Sequence, residues 1–105
     1  MNDVPENITE NVAKNKVTVT HNEQAQRFET TIDGHIGYIS YQQRADALVY
    51  DHTIVPPALG GKGVGSALVK HALNYARDYD KKVVPQCSFV ASYIDNHPDY
   101  QDLVS

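Results

Sequence analysis

Cysteine, basic residues and long apolar runs are all scarce in this chain, and each scarcity removes a class of function. Cys87 is the single cysteine, which excludes an intrachain disulfide and the cysteine-rich structural zinc arrangements. The histidines His21, His35, His52, His71 and His97 fall without ligand-like spacing, so no metal site is expected. Nine Lys and Arg residues stand against thirteen Asp and Glu, for a formal charge of -4. That balance does not suit a general nucleic-acid binder, whose affinity rests on neutralising phosphates. No apolar run approaches membrane length, and the polar start MNDVPENITENVAKN has neither the basic nor the apolar segment of a secretory signal. The expectation is a soluble, cytoplasmic protein with no membrane or nucleic-acid partner. Asn7-Ile8-Thr9 is then a chance match to a glycosylation acceptor.

What is present suffices for one core: 105 residues, of which 41% are apolar. Residues 1–14 carry few apolar side chains and no period, and read as a loose tail before a single domain over 15–105. Val17 and Val19 alternate with Thr18 and Thr20 as a first strand, or as the start of one long interrupted strand. The polar HNEQAQ separates them from RFETTI, where Phe28, Thr30 and Ile32 share one strand face. Asp33-Gly34 predicts a hairpin turn into a strand over His35–Tyr41. In that strand Gly37, Ile39 and Tyr41 oppose Ile36, Tyr38 and Ser40. ALVYDHTIV gives the next strand, with a bulge expected near Asp51–Thr53 because the alternation breaks there.

After Pro56-Pro57 come Gly60, Gly61, Gly63 and Gly65, and a helical pattern follows at once. Its apolar stripe is Val64, Leu68, Ala72, Tyr75, Ala76 and Tyr79. VVP then makes a short buried strand, parallel to ALVYDHTIV because a helix crosses between them. A last helix is expected from Ser88 as N-cap, through Phe89, Val90, Tyr93 and Ile94, stopping before Pro98. The fold class is therefore mixed α/β (α+β): an antiparallel meander, a strand-loop-helix-strand crossover and a C-terminal helix.

A glycine loop opening a helix lets the backbone approach a bulky anion, with the free N–H groups of the helix pointing at it. Two phosphate-binding loops fail on spacing. A P-loop needs Gly-Lys followed by Ser or Thr, and Lys62 is followed by Gly63. The dinucleotide fingerprint Gly-x-Gly-x-x-Gly begins at Gly61 but meets Ser66 at its last position, and VVPQC offers no acidic residue after the next strand.

The stretch Gly60-Gly61-Lys62-Gly63-Val64-Gly65 resembles the coenzyme A loop of the GNAT N-acetyltransferase superfamily. That pattern is Arg or Gln, two free positions, Gly, one free position, then Gly or Ala. Gly60 departs from it, and the usual pyrophosphate-holding side chain is missing, with Lys62 as a partial substitute. His52-Thr53-Ile54-Val55-Pro56 and Pro85-Gln86-Cys87 resemble two further motifs of a short subgroup of that superfamily, and the likeness covers about Asn15 to Val104. It implies a sheet that splays between its two central strands, with coenzyme A in the gap. Implied coenzyme contacts are Ile54 and Val55 through their backbone, and Gly60, Gly61, Lys62, Gly63, Val64, Gly65 and Ser66 at the loop and helix start.

The implied activity is acetyl transfer from acetyl-CoA to an amine, either a small molecule or a protein lysine or terminus. Such transfer needs a held donor, a polarised carbonyl, a neutral amine and a proton for the departing thiolate. Cys87 fits three roles: covalent acceptor of the acetyl group, proton donor, or small buried apolar residue. His52 is the candidate neighbouring base, with packing as its plainer use. Tyr93 matches the position of the tyrosine that protonates the thiolate in many of these enzymes, and it also suits the core. Asn96 is either a coenzyme contact or a cap, and Asp51 either an amine-recognising carboxylate or a solvated group. Full-length members have two helices between their first strands, walling one side of the acceptor cleft. Val19 to Phe28 has room for neither, so an open acceptor side is expected. Gly60 and the missing helices keep an alternative in play, a coenzyme A-binding module without turnover.

Overall fold

The computed structural model describes residues 17–105; the expected tail over residues 1–14 lies outside them. Five strands form one sheet in chain order: β1 (Thr20–Asn22), β2 (Arg27–Ile32), β3 (His35–Arg44), β4 (Ala47–Ile54) and β5 (Lys82–Pro85). The first four are antiparallel neighbours, and β5 runs parallel to β4. Helix α1 (Val64–Asp78) makes the crossover, and α2 (Ser88–Asn96) follows β5. A 3-10 segment, Pro98–Leu103, leads to a bridge between Val104 and Val83 on the outer side of β5. No described helix is long and apolar enough to cross a membrane.

The hairpin between β2 and β3 turns on Asp33 and Gly34, both at positive φ (51° and 79°), the pairing that a two-residue turn of matching twist requires. Phe28, Thr30, Gly37, Ile39 and Tyr41 are buried under α1. Tyr50 on β4 is fully buried and donates its hydroxyl to Ala72 O of α1 at 2.6 Å. That bond satisfies a polar group in the core and pins the helix to the strand.

Two expectations need correction. The first strand pairs through Thr20–Asn22, not through Val17 and Val19, which pack half-buried against the core before pairing begins. His21 stacks on Phe28 with ring centroids 4.3 Å apart, and that ring contact lets a nominally polar residue take an inward strand position. In α1 the buried stripe is Val64, Leu68, Val69, Ala72, Leu73 and Ala76. Tyr75 is half-buried and Tyr79 is 62% exposed, because Tyr79 caps the helix and lies against Tyr75 at 4.5 Å.

The expected bulge is present. Tyr41 pairs with Tyr50 and Ser40 with His52, so Asp51 is the extra residue on β4. An extra residue inverts the side-chain parity of everything beyond it. Thr53, opposite the buried Ile39, therefore returns to the helix side, while His52 and Ile54 face away from α1.

Candidate functional site

β4 and β5 stay paired only as far as Tyr50 and Pro85. The last link is the Cys87 N–H, which donates to Tyr50 O at 2.9 Å. Beyond it the chain turns into α2 while β4 continues to Ile54 on the β3 side, so among the described residues no strand lies beside the β5-facing edge of Thr53–Ile54. A polar edge of this kind is a template for an extended chain carrying amides.

Beside that edge is a cleft of about 460 Å³, lined by Thr53, Val55, Leu59, Gly60, Gly61, Gly63, Val64, Gly65, Ser66 and Phe89. The glycine loop is built for close approach. Gly61 and Gly63 sit at φ 77° and 73°, in the left-handed region, and Gly63 is the N-cap of α1. Ala67 is the residue whose N–H closes the first turn, onto Gly63 O at 3.0 Å. The amides of Val64, Gly65 and Ser66 precede it, in a turn with no acidic side chain. Free amides plus the positive end of a fifteen-residue helix suit an anionic group. At Gly65 a Cβ would lie 3.0 Å from Phe89 Cζ, so the absence of a side chain there lets α2 close over the start of α1.

Cys87 stands at the N-cap of α2, one residue before the expected capping Ser88. Its thiol donates to Thr53 Oγ1 at 3.5 Å. Burial pushes the thiol pKa up, but the Thr53 hydroxyl and the amides of Val90, Phe89 and Thr53 favour the thiolate, and the balance lies below the ordinary cysteine value. Thr53 stands between this sulfur and the cleft, since it touches both.

The other expected residues distribute differently. His52 is exposed on the face turned away from α1, opposite Ser40, and Thr53 takes the position beside Cys87 that His52 was expected to fill. Tyr93 lines a second hollow of about 180 Å³ with Ser66, Phe89, Ser92, Asn96 and His97, joined to the main cleft through Ser66 and Phe89. Its ring stacks on His97 at 3.9 Å, and burial, with Tyr100 and Asp99 nearby, raises its phenol pKa. Ile54 offers its backbone edge while its side chain is 46% exposed on the opposite face. Lys62 is exposed at the loop tip, outside the lining.

Three lining residues were not anticipated: Thr53, Leu59 and Phe89. The parity change at Asp51 carries the signal for Thr53. Leu59 is buried within a 3-10 turn, Pro57–Leu59, that follows the proline pair. Phe89 is 43% exposed, so helical spacing alone, which groups it with Val90 and Ile94, overstates its part in the core.

Comparison with known proteins agrees with this geometry. The family model described as GCN5-related N-acetyl-transferase matches residues 27–103. Mouse protein NATD1 is 27% identical over 85 residues, covering 78% of this chain and 77% of that protein. The solution structure of a GCN5-like protein from Staphylococcus aureus superposes with a TM-score of 0.67 at 28% identity, covering 84% of this chain and 87% of that one. With the split sheet, the glycine loop and the matched span together, the chain belongs to the GCN5-related N-acetyltransferase family.

Proposed function

We propose that this protein transfers an acetyl group from acetyl-CoA to an amine. The observation that carries the reading is the parting of β4 from β5 directly beside a glycine loop that lines the same cleft. In this reading the amides of Gly61 to Ser66 hold the pyrophosphate, with the dipole of α1 behind them. Lys62 adds its charge from the loop tip, in place of the side chain that Gly60 lacks. The backbone of Ile54 and Val55 pairs with the amides of the pantetheine arm as an added strand would, and an N–H of that edge polarises the thioester oxygen.

Cys87 then lies at the reacting end, beside Thr53. A thiolate favoured by a helix N-terminus attacks the thioester carbonyl: its sulfur bonds to the acetyl carbon, the bond to the coenzyme sulfur breaks, and that thiolate leaves and takes up a proton. A neutral amine next displaces Cys87, forming the amide and losing its own proton. Tyr93, a neutral phenol in the adjoining hollow, is the proton donor to the departing thiolate. His52 faces the acceptor side. Among the described residues β1 and β2 are joined by a turn with no helix between them, which in this reading leaves the acceptor side open.

Calorimetry with acetyl-CoA tests the donor half: saturable binding is expected, and its absence at millimolar coenzyme would falsify the reading. Binding without acetyl transfer to any amine in a broad panel would make the protein a coenzyme A-binding module instead.

A further inference from the structure

Of the side chains that line the cleft, only those of Thr53 and Ser66 carry a polar atom, and both are hydroxyls that stay neutral around neutral pH. An amine that displaces an acetyl group from a thiol has to lose a proton, and among the described residues the cleft wall holds no carboxylate, imidazole or lysine to receive it. His52 is exposed on the opposite face of the sheet, and Tyr93 lines the second hollow rather than the cleft. Ser66 belongs to the first turn of α1, at the loop end. Thr53 is the wall side chain in hydrogen-bond contact with the Cys87 sulfur, 3.5 Å away.

The extra residue at Asp51 is what turns the Thr53 hydroxyl to this side of the sheet. With Cys87 as a thiol, one lone pair of Thr53 Oγ1 accepts the sulfur's proton. Acetylation of the sulfur takes that proton away, which frees the lone pair and leaves the hydroxyl its own hydrogen. A hydroxyl both donates and accepts, so it can take up one proton while giving another and never carry a charge itself. Thr53 and Cys87 are both half-buried, and there a transfer without a charged intermediate avoids a desolvation cost.

We propose that Thr53 is a catalytic residue of the second half of the reaction, relaying the proton of the attacking amine to the departing Cys87 sulfur. The amine nitrogen bonds to the acetyl carbon, and the bond between that carbon and Cys87 Sγ breaks. The nitrogen's proton passes to Thr53 Oγ1 while the proton that Oγ1 held passes to Cys87 Sγ. Thr53 ends as it began, and Cys87 returns as the thiol that donates to it. This rests on the acetyl-transfer reading with Cys87 as the acetyl carrier, but the step is measurable without coenzyme.

The experiment acetylates Cys87 of the full chain with p-nitrophenyl acetate and follows the mass of the peptide carrying Cys87 as the adduct decays in n-butylamine or in 2-mercaptoethanol. The amine has a proton to lose, whereas the thiol attacks as a thiolate and has none. Any effect of Thr53 on Cys87 as a leaving group alters both decays alike, so the ratio of the two rates isolates the relay. T53V is expected to slow decay in butylamine about a hundredfold relative to decay in mercaptoethanol, and T53S to restore the ratio. A ratio unchanged in T53V would overturn the proposal, as would a T53S ratio as low as that of T53V. If p-nitrophenyl acetate forms the adduct and acetyl-CoA does not, the covalent donor step fails and the relay still stands or falls on the ratio. If neither reagent acetylates Cys87, the relay is overturned together with the covalent route.

Discussion

The Cys87 thiol donates to the Thr53 hydroxyl at 3.5 Å, across the gap that opens where β4 and β5 separate. The bond reverses on ionisation, because a thiolate can only accept and the hydroxyl then becomes the donor. It joins the amides at the start of α2 in holding the Cys87 pKa below the ordinary value. T53V keeps the shape and removes the donor. The pH midpoint of Cys87 alkylation by iodoacetamide should therefore move upward in T53V, and alkylation at neutral pH should slow. An unchanged midpoint would leave only the backbone amides of Val90, Phe89 and Thr53 as the source of the shift.

A covalent route through Cys87 leaves a mark that a direct attack by the amine does not. Protein mixed with acetyl-CoA, quenched in acid and weighed intact should gain one acetyl group, and C87A should not. Turnover in C87A should fall by on the order of a hundredfold or more, the scale associated with losing a nucleophile's contribution. Full activity in C87A would remove the thiol from the reaction and return it to packing.

Gly63 tests whether the loop is a binding device. A Cβ at Gly63 meets no atom within 4 Å, but φ is +73°. Substitution is thus a conformational problem more than a steric one inside the protein, costing about 1–2 kcal/mol for an L residue in the left-handed region. G63V should lower the melting temperature modestly and reduce acetyl-CoA affinity much more, since the branched side chain projects into the space left for the pyrophosphate. Parallel losses in stability and binding would mean that the loop is only a turn. G65A probes the neighbouring contact: its Cβ needs Phe89 to yield from 3.0 Å, so its destabilisation should shrink in a Phe89→Ala background.

The strand order, the hairpin and the crossover are legible in the sequence because each has a local cause. Asp33-Gly34 sets its own turn, alternation marks β2 and β3, and a helix between two strands forces them parallel. The phosphate-facing loop is legible for the same reason, since its glycines determine backbone geometry within a few residues. The surroundings of Cys87 are not local. They depend on the extra residue at Asp51, and one inserted position exchanges His52 for Thr53 on the cleft side. A broken alternation announces a bulge near Asp51, yet only the pairing of Ser40 with His52 fixes which residue is extra. Tyr79 shows the opposite limit. It keeps the helical period of the stripe, but the helix ends one residue earlier, and period cannot say where packing stops.

His21 supplies a pH dependence of folding that is independent of the cleft. Its ring lies against Phe28 at 4.3 Å and Tyr75 at 4.7 Å, and its Nε2 meets the Tyr41 hydroxyl at 2.6 Å. Burial lowers its pKa, the attraction of Glu23 opposes this only in part, and His71 lowers it further. A base whose folded pKa lies below its unfolded value binds more protons when unfolded. Stability from this group is therefore complete above about pH 6.5, and it declines as pH falls from there toward the depressed folded value. The carboxylates Asp51 and Asp102, also held below their usual pKa, act with the same sign but in a more acidic window, below their unfolded value of 3.8. Chemical denaturation between pH 7 and pH 5 thus isolates the histidine from them. H21F preserves the stack on Phe28 and cannot take a proton, so its stability should fall less over that interval than that of the unmodified protein. Equal slopes would mean that His21 is accommodated in its charged form, with the Tyr41 hydroxyl as acceptor and Glu23, 3.9 Å from Nδ1, as counter-ion.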